Sequence, residues 1–226
     1  MDSNMQYGQQ GNIVILHFDD GKANVVSNGF LDDINAGLDR AERENAGAVI
    51  IRGRDGMFSG GFDLGEFKKG IEQGQAMVKR GFALLIRLAS FPLPVVAACT
   101  GHCVAMGAFI AMASDSRVGA NGHFKITLPE TAISMDLPPI LIALTESRIV
   151  KEHLIRAALQ SEVYNPEQAI AAGFLDEVVE PAELDKRCME IAQHLANLPQ
   201  AQYAANKLRV RAETLGKMQA SLDSMA

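Results

Sequence analysis

The chain has 226 residues, 48% hydrophobic and 21% charged, with 27 acidic against 21 basic side chains and a net charge of −6. That is the balance of a globular protein with length for one large domain or two small ones. The acidic excess gives no support to a nucleic-acid or anionic-membrane surface, and no run of about 18 apolar residues offers a membrane span.

Residues 1–12 are polar and lack a basic-then-apolar leader pattern, so no secretory signal is expected and the cytosol is the default compartment. Residues 12–18 (NIVILHF) read as a strand and Asp19-Asp20-Gly21 as a turn. Ser27 is placed to cap a helix over 28–43, with Phe30, Leu31, Ile34 and Leu38 on one face. The apolar run 46–52 (AGAVIIR) suits a strand buried on both faces. Glycine-rich 53–64 reads as an irregular loop, and 66–89 as one helix ended by Phe91-Pro92-Leu93-Pro94.

The stretch 94–138 carries the chemistry. A β-compatible run at 95–99 ends at Thr100-Gly101, a small-residue helix is expected over 105–113, and a strand-like run at 123–127 leads into Leu128-Pro129-Glu130. A helix start of small residues offers free backbone N–H groups, and an acid stands close by. The alternating order implies right-handed crossovers and a mostly parallel sheet, with the site at the carboxyl ends of the strands. After residue 139 the pattern turns helical: 140–148, 151–159, a helix started by Asn165-Pro166-Glu167 and stopped by Gly173, a short strand within 174–179, a helix from Pro181 to about residue 198, and a last polar, partly mobile helix over 200–226. The shift in pattern divides the chain into an α/β core at 1–140 and a helical region at 141–226.

Other polar residues are read as structural. Cys99, Cys103 and Cys188 fit a reducing compartment as small buried hydrophobes. Asp115 and Arg117 are expected to pair across a helix end, His102 reads as a structural or exposed histidine, and His17, His123, His153 and His194 show no metal spacing. Neither a Gly-x-Ser-x-Gly nucleophile nor a phosphate loop is present.

Four blocks in order resemble the crotonase superfamily, the enoyl-CoA hydratase/isomerase family. They are Lys22-Ala23-Asn24, the loop Phe58-Ser59-Gly60-Gly61-Phe62-Asp63-Leu64, the series from Pro94 to Glu130, and Ala169-x-x-x-Gly173-x-x-Asp176-x-Val178-Val179. The resemblance implies an α/β spiral of ββα units with a helical C-terminal region that helps trimerise, as a homotrimer or a pair of trimers. It implies an acyl-CoA substrate of fatty acid metabolism, with CoA as part of the substrate and no separate cofactor or metal. Two backbone N–H groups would grip the thioester oxygen; by position they belong to Phe62 and Met106. Lys22, Ala23, Gly60, Gly61, Asp63, Leu64, Gly107, Phe109 and Asp136 are the other expected substrate contacts, with Lys22 and Lys68 candidates for the CoA phosphates. Hydratases of the family, which are lyases, use two glutamates. Glu130 matches the second, and Phe109 stands where the first would be. That pattern resembles the Δ3,Δ2-enoyl-CoA isomerases, with Glu130 shuttling one proton from C2 to C4. A hydratase or thioester hydrolase using Glu130 and Asp136, and a non-catalytic acyl-CoA binder, are the alternatives.

Overall fold

The computed structural model describes residues 4–225. The chain opens with an antiparallel hairpin, β1 (Met5–Gln10) and β2 (Ile13–Phe18). The first of these strands, MQYGQQ, has only Met5 and Tyr7 as large apolar or aromatic side chains among glutamines and a glycine, so its sequence reads as part of a polar segment. Ser27 does cap α1 (Asn28–Arg43), its hydroxyl accepting the Phe30 N–H at 3.2 Å.

Two sheets then alternate. β3 (Ala48–Arg52) joins the first, and β4 (Gly56–Ser59) founds the second inside what the glycines suggest is a loop. The expected single helix over 66–89 is two, α2 (Leu64–Lys69) and α3 (Ile71–Ser90), broken at Gly70 with φ +152°. β5 (Val95–Cys99) returns to the first sheet and β6 (Gly101–Val104) to the second. After α4 (Met106–Ala113), β7 (Ser116–Ala120) and β8 (Ile126–Thr127) repeat the step. Each turn of this spiral thus lays one strand in each sheet. With a last strand, β9 (Glu177–Val179), the large sheet runs β1-β2-β3-β5-β7-β9, parallel beyond the hairpin, and the small one β4-β6-β8 is parallel throughout.

The rest is mainly helical: α5 (Pro139–Arg148), α6 (Lys151–Ala158) and α7 (Pro166–Ala172), the last with a capping box from Asn165 and Gln168 and a left-handed Gly173 at its end. β9 (Glu177–Val179) pairs with β7, so the segment after residue 140 supplies a strand to the main sheet. α8 (Leu184–Ala196) covers that sheet's outer face: Ile13, Ala48, Ile50, Val96, Ala98 and Val118 pack with its Leu184, Cys188 and Ala192. The alternate residues Val14, Leu16, Val49, Ile51, Val95 and Ala97 face the main core. Both faces are buried, which is why these strands read as unbroken apolar runs.

The final segment is not one mobile helix. It forms α9 (Gln200–Val210) and α10 (Ala212–Asp223), packed on α3 and α5, with Met218 fully buried; residue 226, the end of the expected helix, lies outside the described residues. Buried charge locks them down. Lys207 Nζ lies 2.6 Å from Asp115 Oδ2 and donates to the Phe91 and Leu93 carbonyls at 2.8 and 3.0 Å. Arg211 pairs with the other Asp115 oxygen at 2.9 Å and donates to the Ala89 carbonyl at the end of α3. Asp115 is therefore not Arg117's partner. Arg117 pairs with Asp176, brought alongside by the β7–β9 pairing, and donates to the Gly173 carbonyl at 2.9 Å. The three cysteines are free and buried; hydrogen bonding to Cys103, together with burial, pushes the Cys99 thiol up.

Candidate active site

The site starts as a backbone platform. The Asp20 carboxylate accepts the N–H groups of Lys22, Asn24 and Val25 at 2.7, 2.9 and 3.2 Å. Burial alone would raise its pKa, but these three donors outweigh it and hold the group below the usual carboxylate range. Asn24, buried with φ +47°, donates to the Phe18 and Met57 carbonyls and so ties the turn to β4. The Ala23 carbonyl then accepts Gly60 N–H at 2.8 Å, Val26 N–H reaches the Gly61 carbonyl at 2.8 Å, and Asp63 N–H reaches the Val26 carbonyl at 3.1 Å. Between these bonds the Phe62 N–H has no backbone acceptor among the described residues. Lys22 and Ala23 belong to this platform through their main chain; the Lys22 side chain is exposed, as is that of Lys68.

The second donor comes from the turn between β6 and α4. Ala105 takes φ +52°, ψ −126°, a strained conformation for a residue with a Cβ. It is held by its N–H on the Thr127 carbonyl at 3.1 Å and by its carbonyl accepting Phe109 N–H at 3.1 Å. The chain reverses there, so α4 begins with Met106 N–H free of any backbone acceptor among the described residues. Glycine is needed on both sides of the junction. A Cβ on Gly107 would lie 2.5 Å from the Ser59 carbonyl oxygen. One on Gly61, at φ +97°, would lie 2.9 Å from Ala105 Cβ and 3.5 Å from Met106 N. These contacts bring the 60–62 loop and the start of α4, more than 40 residues apart, into apposition.

Glu130 forms the facing wall. It precedes a 3₁₀ turn (Thr131–Ile133), and its carbonyl accepts Met135 N–H at 2.8 Å. The residue is only 5% exposed, and its Oε2 has no hydrogen-bond partner among the described residues. Burial pushes its pKa up, only partly opposed by its own backbone N–H. It lines a cavity of about 810 Å³ together with Gly60, Phe62, Asp63, Leu64, Met106, Phe109 and Asp136. Phe109 is fully buried in that wall, and Asp136 is an exposed residue at the rim.

The remaining expected contacts serve otherwise. Asp63 also caps α2, its Oδ1 accepting Gly65 N–H at 2.8 Å. Lys22, Ala23, Gly61 and Gly107 do not line the cavity; the glycines shape it from behind. Sequence reasoning missed Val78 and Phe82 of α3, Leu141 of α5 and Met225, which supply the apolar wall opposite the platform. Their only local signal is apolar helix periodicity, shared with every core residue. His102 is structural, its Nδ1 accepting Lys125 N–H at 2.9 Å. Among the described residues no group of three or more His, Cys, Asp or Glu side chains is placed to hold a metal ion, and no helix is long and apolar enough to cross a membrane.

The family model for enoyl-CoA hydratase/isomerase matches residues 8–224, and the chain belongs to that family. A solved structure of an enoyl-CoA isomerase from Mycobacterium tuberculosis is 36% identical, with a TM-score of 0.95 over 100% of this chain and 98% of that one. A protein of Bacillus subtilis named probable enoyl-CoA hydratase is 34% identical over 121 residues, 52% of this chain and 46% of that protein, so less than half of that relative is matched. Human mitochondrial enoyl-CoA delta isomerase 1 is 26% identical over 217 residues, 94% of this chain and 72% of that protein. Relatives of both activities thus share the scaffold.

Proposed function

We propose that this protein isomerises 3-enoyl-CoA thioesters to trans-2-enoyl-CoA, with Glu130 as the single proton carrier. The reading is supported by one buried carboxylate, Glu130, whose Oε2 has no hydrogen-bond partner among the described residues, in a cavity also lined by Phe109, which the family resemblance sets where hydratases carry a second acid. Glu130 takes the proton from C2, and the electron pair left behind spreads over a dienolate whose charge rests on the thioester oxygen. The N–H groups of Phe62 and Met106 receive that charge, the latter at the positive end of α4. The protonated Glu130 then delivers the same proton to C4, and the double bond moves to C2=C3. No other reactant is consumed. A carboxyl held above its ordinary pKa suits both halves of the cycle, since the group must give the proton back as readily as it takes it. The apolar walls exclude the water that would divert the dienolate or add to the product.

Hydration or thioester hydrolysis is the second reading, favoured by the carboxylate of Asp136 on the same cavity. Incubation with 3-hexenoyl-CoA and with crotonyl-CoA in deuterated water separates the two. Isomerisation with little stable hydration supports the proposal; rapid formation of 3-hydroxyacyl-CoA or free CoA, with no isomerisation, refutes it.

A further inference from the structure

The acyl side of the cavity is larger than a short substrate needs. Benzene fills a cavity of about 150 Å³, or roughly 25 Å³ per carbon, so 810 Å³ has room for roughly thirty heavy atoms. Even with about half of that given to the thioester and the pantetheine arm, a four-carbon acyl group would leave most of the remainder bare. Much of the lining is aliphatic or aromatic, with Val78 and Phe82 from α3, Phe109 from α4, Leu141 from α5, and Met225, while α3 also contributes Gln75. None of these apolar side chains offers a hydrogen bond to a polar acyl substituent.

Met225 closes this wall by a defined route. α10 is anchored by fully buried Met218 and by the Ser221 hydroxyl, which accepts Ile140 N–H at 3.1 Å. The chain then turns, with Met225 N–H on the Leu222 carbonyl at 3.1 Å, and the Met225 carbonyl accepts Lys79 Nζ of α3 at 2.5 Å. Main-chain bonds therefore place Met225 in the cavity, while its side chain, unbranched and adaptable, is free to yield.

We infer that the preferred substrates carry unbranched acyl chains of about eight carbons or more, and that Met225 is the length-setting residue at the α3–α5–α10 wall. This rests on the acyl-CoA reading of the site but not on which reaction follows. Each methylene that leaves water for such a wall is worth about fourfold in affinity.

The test has two arms. Calorimetry with saturated butanoyl-, octanoyl- and dodecanoyl-CoA reads the pocket without turnover, and kcat/KM for 3-hexenoyl- to 3-dodecenoyl-CoA reads it through the reaction. Affinity and kcat/KM are expected to rise at least about tenfold from the short to the long members, given the fourfold per methylene. Met225→Trp is expected to lower the ratio of the dodecenoyl to the hexenoyl kcat/KM about tenfold, and Met225→Ala to shift the optimum to longer chains. A flat or falling series in the unaltered protein overturns the inference, as does a length profile that neither variant moves. Tight binding of long saturated chains without isomerisation of any 3-enoyl-CoA refutes the isomerase reading alone; isomerisation without length preference refutes this inference alone.

Discussion

Gly61→Ala tests the two-amide grip without touching a side chain of the site. An alanine Cβ there would sit 2.9 Å from Ala105 Cβ and 3.4 Å from the Val104 carbonyl oxygen. Carbon–carbon contacts settle near 3.5–4.0 Å, so the loop and the helix start must separate by about half an ångström or more. The φ of +97° adds strain of about 1–3 kcal/mol for a residue with a Cβ. That cost falls on stability and is read by thermal or urea unfolding. The separation falls on the Phe62 and Met106 amides, which flank the junction. Losing the alignment of one oxyanion donor costs about 10²–10³ in kcat. The assay is the formation of 2-enoyl-CoA from 3-enoyl-CoA, run beside the affinity for a saturated acyl-CoA of the same length. We expect kcat to fall at least about a hundredfold and ground-state affinity to change less than about fivefold, since the donors act mainly on the charged intermediate. A folded Gly61→Ala protein with kcat within about threefold of the parent would show that these amides do not hold the developing charge.

Glu130→Gln should lower isomerase kcat by about 10³ or more, because a glutamine amide cannot take up the C2 proton; full turnover would refute the assignment. The same variant bears on stability. Burial raises the folded-state pKa of Glu130, so the native protein binds that proton more tightly than the unfolded chain, and stability falls as pH rises from the unfolded value through the folded one. Urea unfolding should therefore favour Glu130→Gln at about pH 8, with the advantage shrinking as the pH falls to about 4. Phe109→Glu puts a carboxylate at a fully buried position; it should lower the melting temperature and raise hydration of 2-enoyl-CoA relative to isomerisation, and an unchanged product ratio would argue that Phe109 does not decide the chemistry. Lys207→Met leaves the buried Asp115 carboxylate with Arg211 and the Val95 N–H but without its lysine, and frees two carbonyls. It should cost about 3–5 kcal/mol in equilibrium unfolding, and a loss under 1 kcal/mol would mean the cluster does not anchor α9.

Features written in adjacent residues were legible before any coordinates. Ser27 as a cap, Asn165-Pro166-Glu167 as a helix start, Gly173 as a helix stop and the apolar strands expected at 46–52 and 95–99 each depend on neighbours within a few residues or on a continuous apolar run. The motif blocks named Phe62, Met106 and Glu130, and all three line one cavity. β1 and β4 were not legible. Each has only two large apolar or aromatic residues, Met5 and Tyr7 in β1 and Met57 and Phe58 in β4, set among polar residues or glycines, and each is a strand through its pairing with β2 or β6. Asp115 illustrates the same limit with charge: nearness in sequence suggests Arg117, yet stacking of α9 and α10 brings Lys207 and Arg211 to it from about 90 residues away.

By itself, then, the sequence determined the local grammar and the chemical inventory: where helices start and stop, which loop is glycine-rich, and that a phenylalanine stands at 109 while a glutamate follows Pro129. The tertiary structure decided which of those groups share a cavity. Successive turns of the spiral set the 60–62 loop against the strained Ala105 turn, bury Glu130 with one oxygen unpaired, and swing Met225 onto α3. Such meetings are fixed by how layers stack, a property of the whole chain, and no window of neighbouring residues carries it.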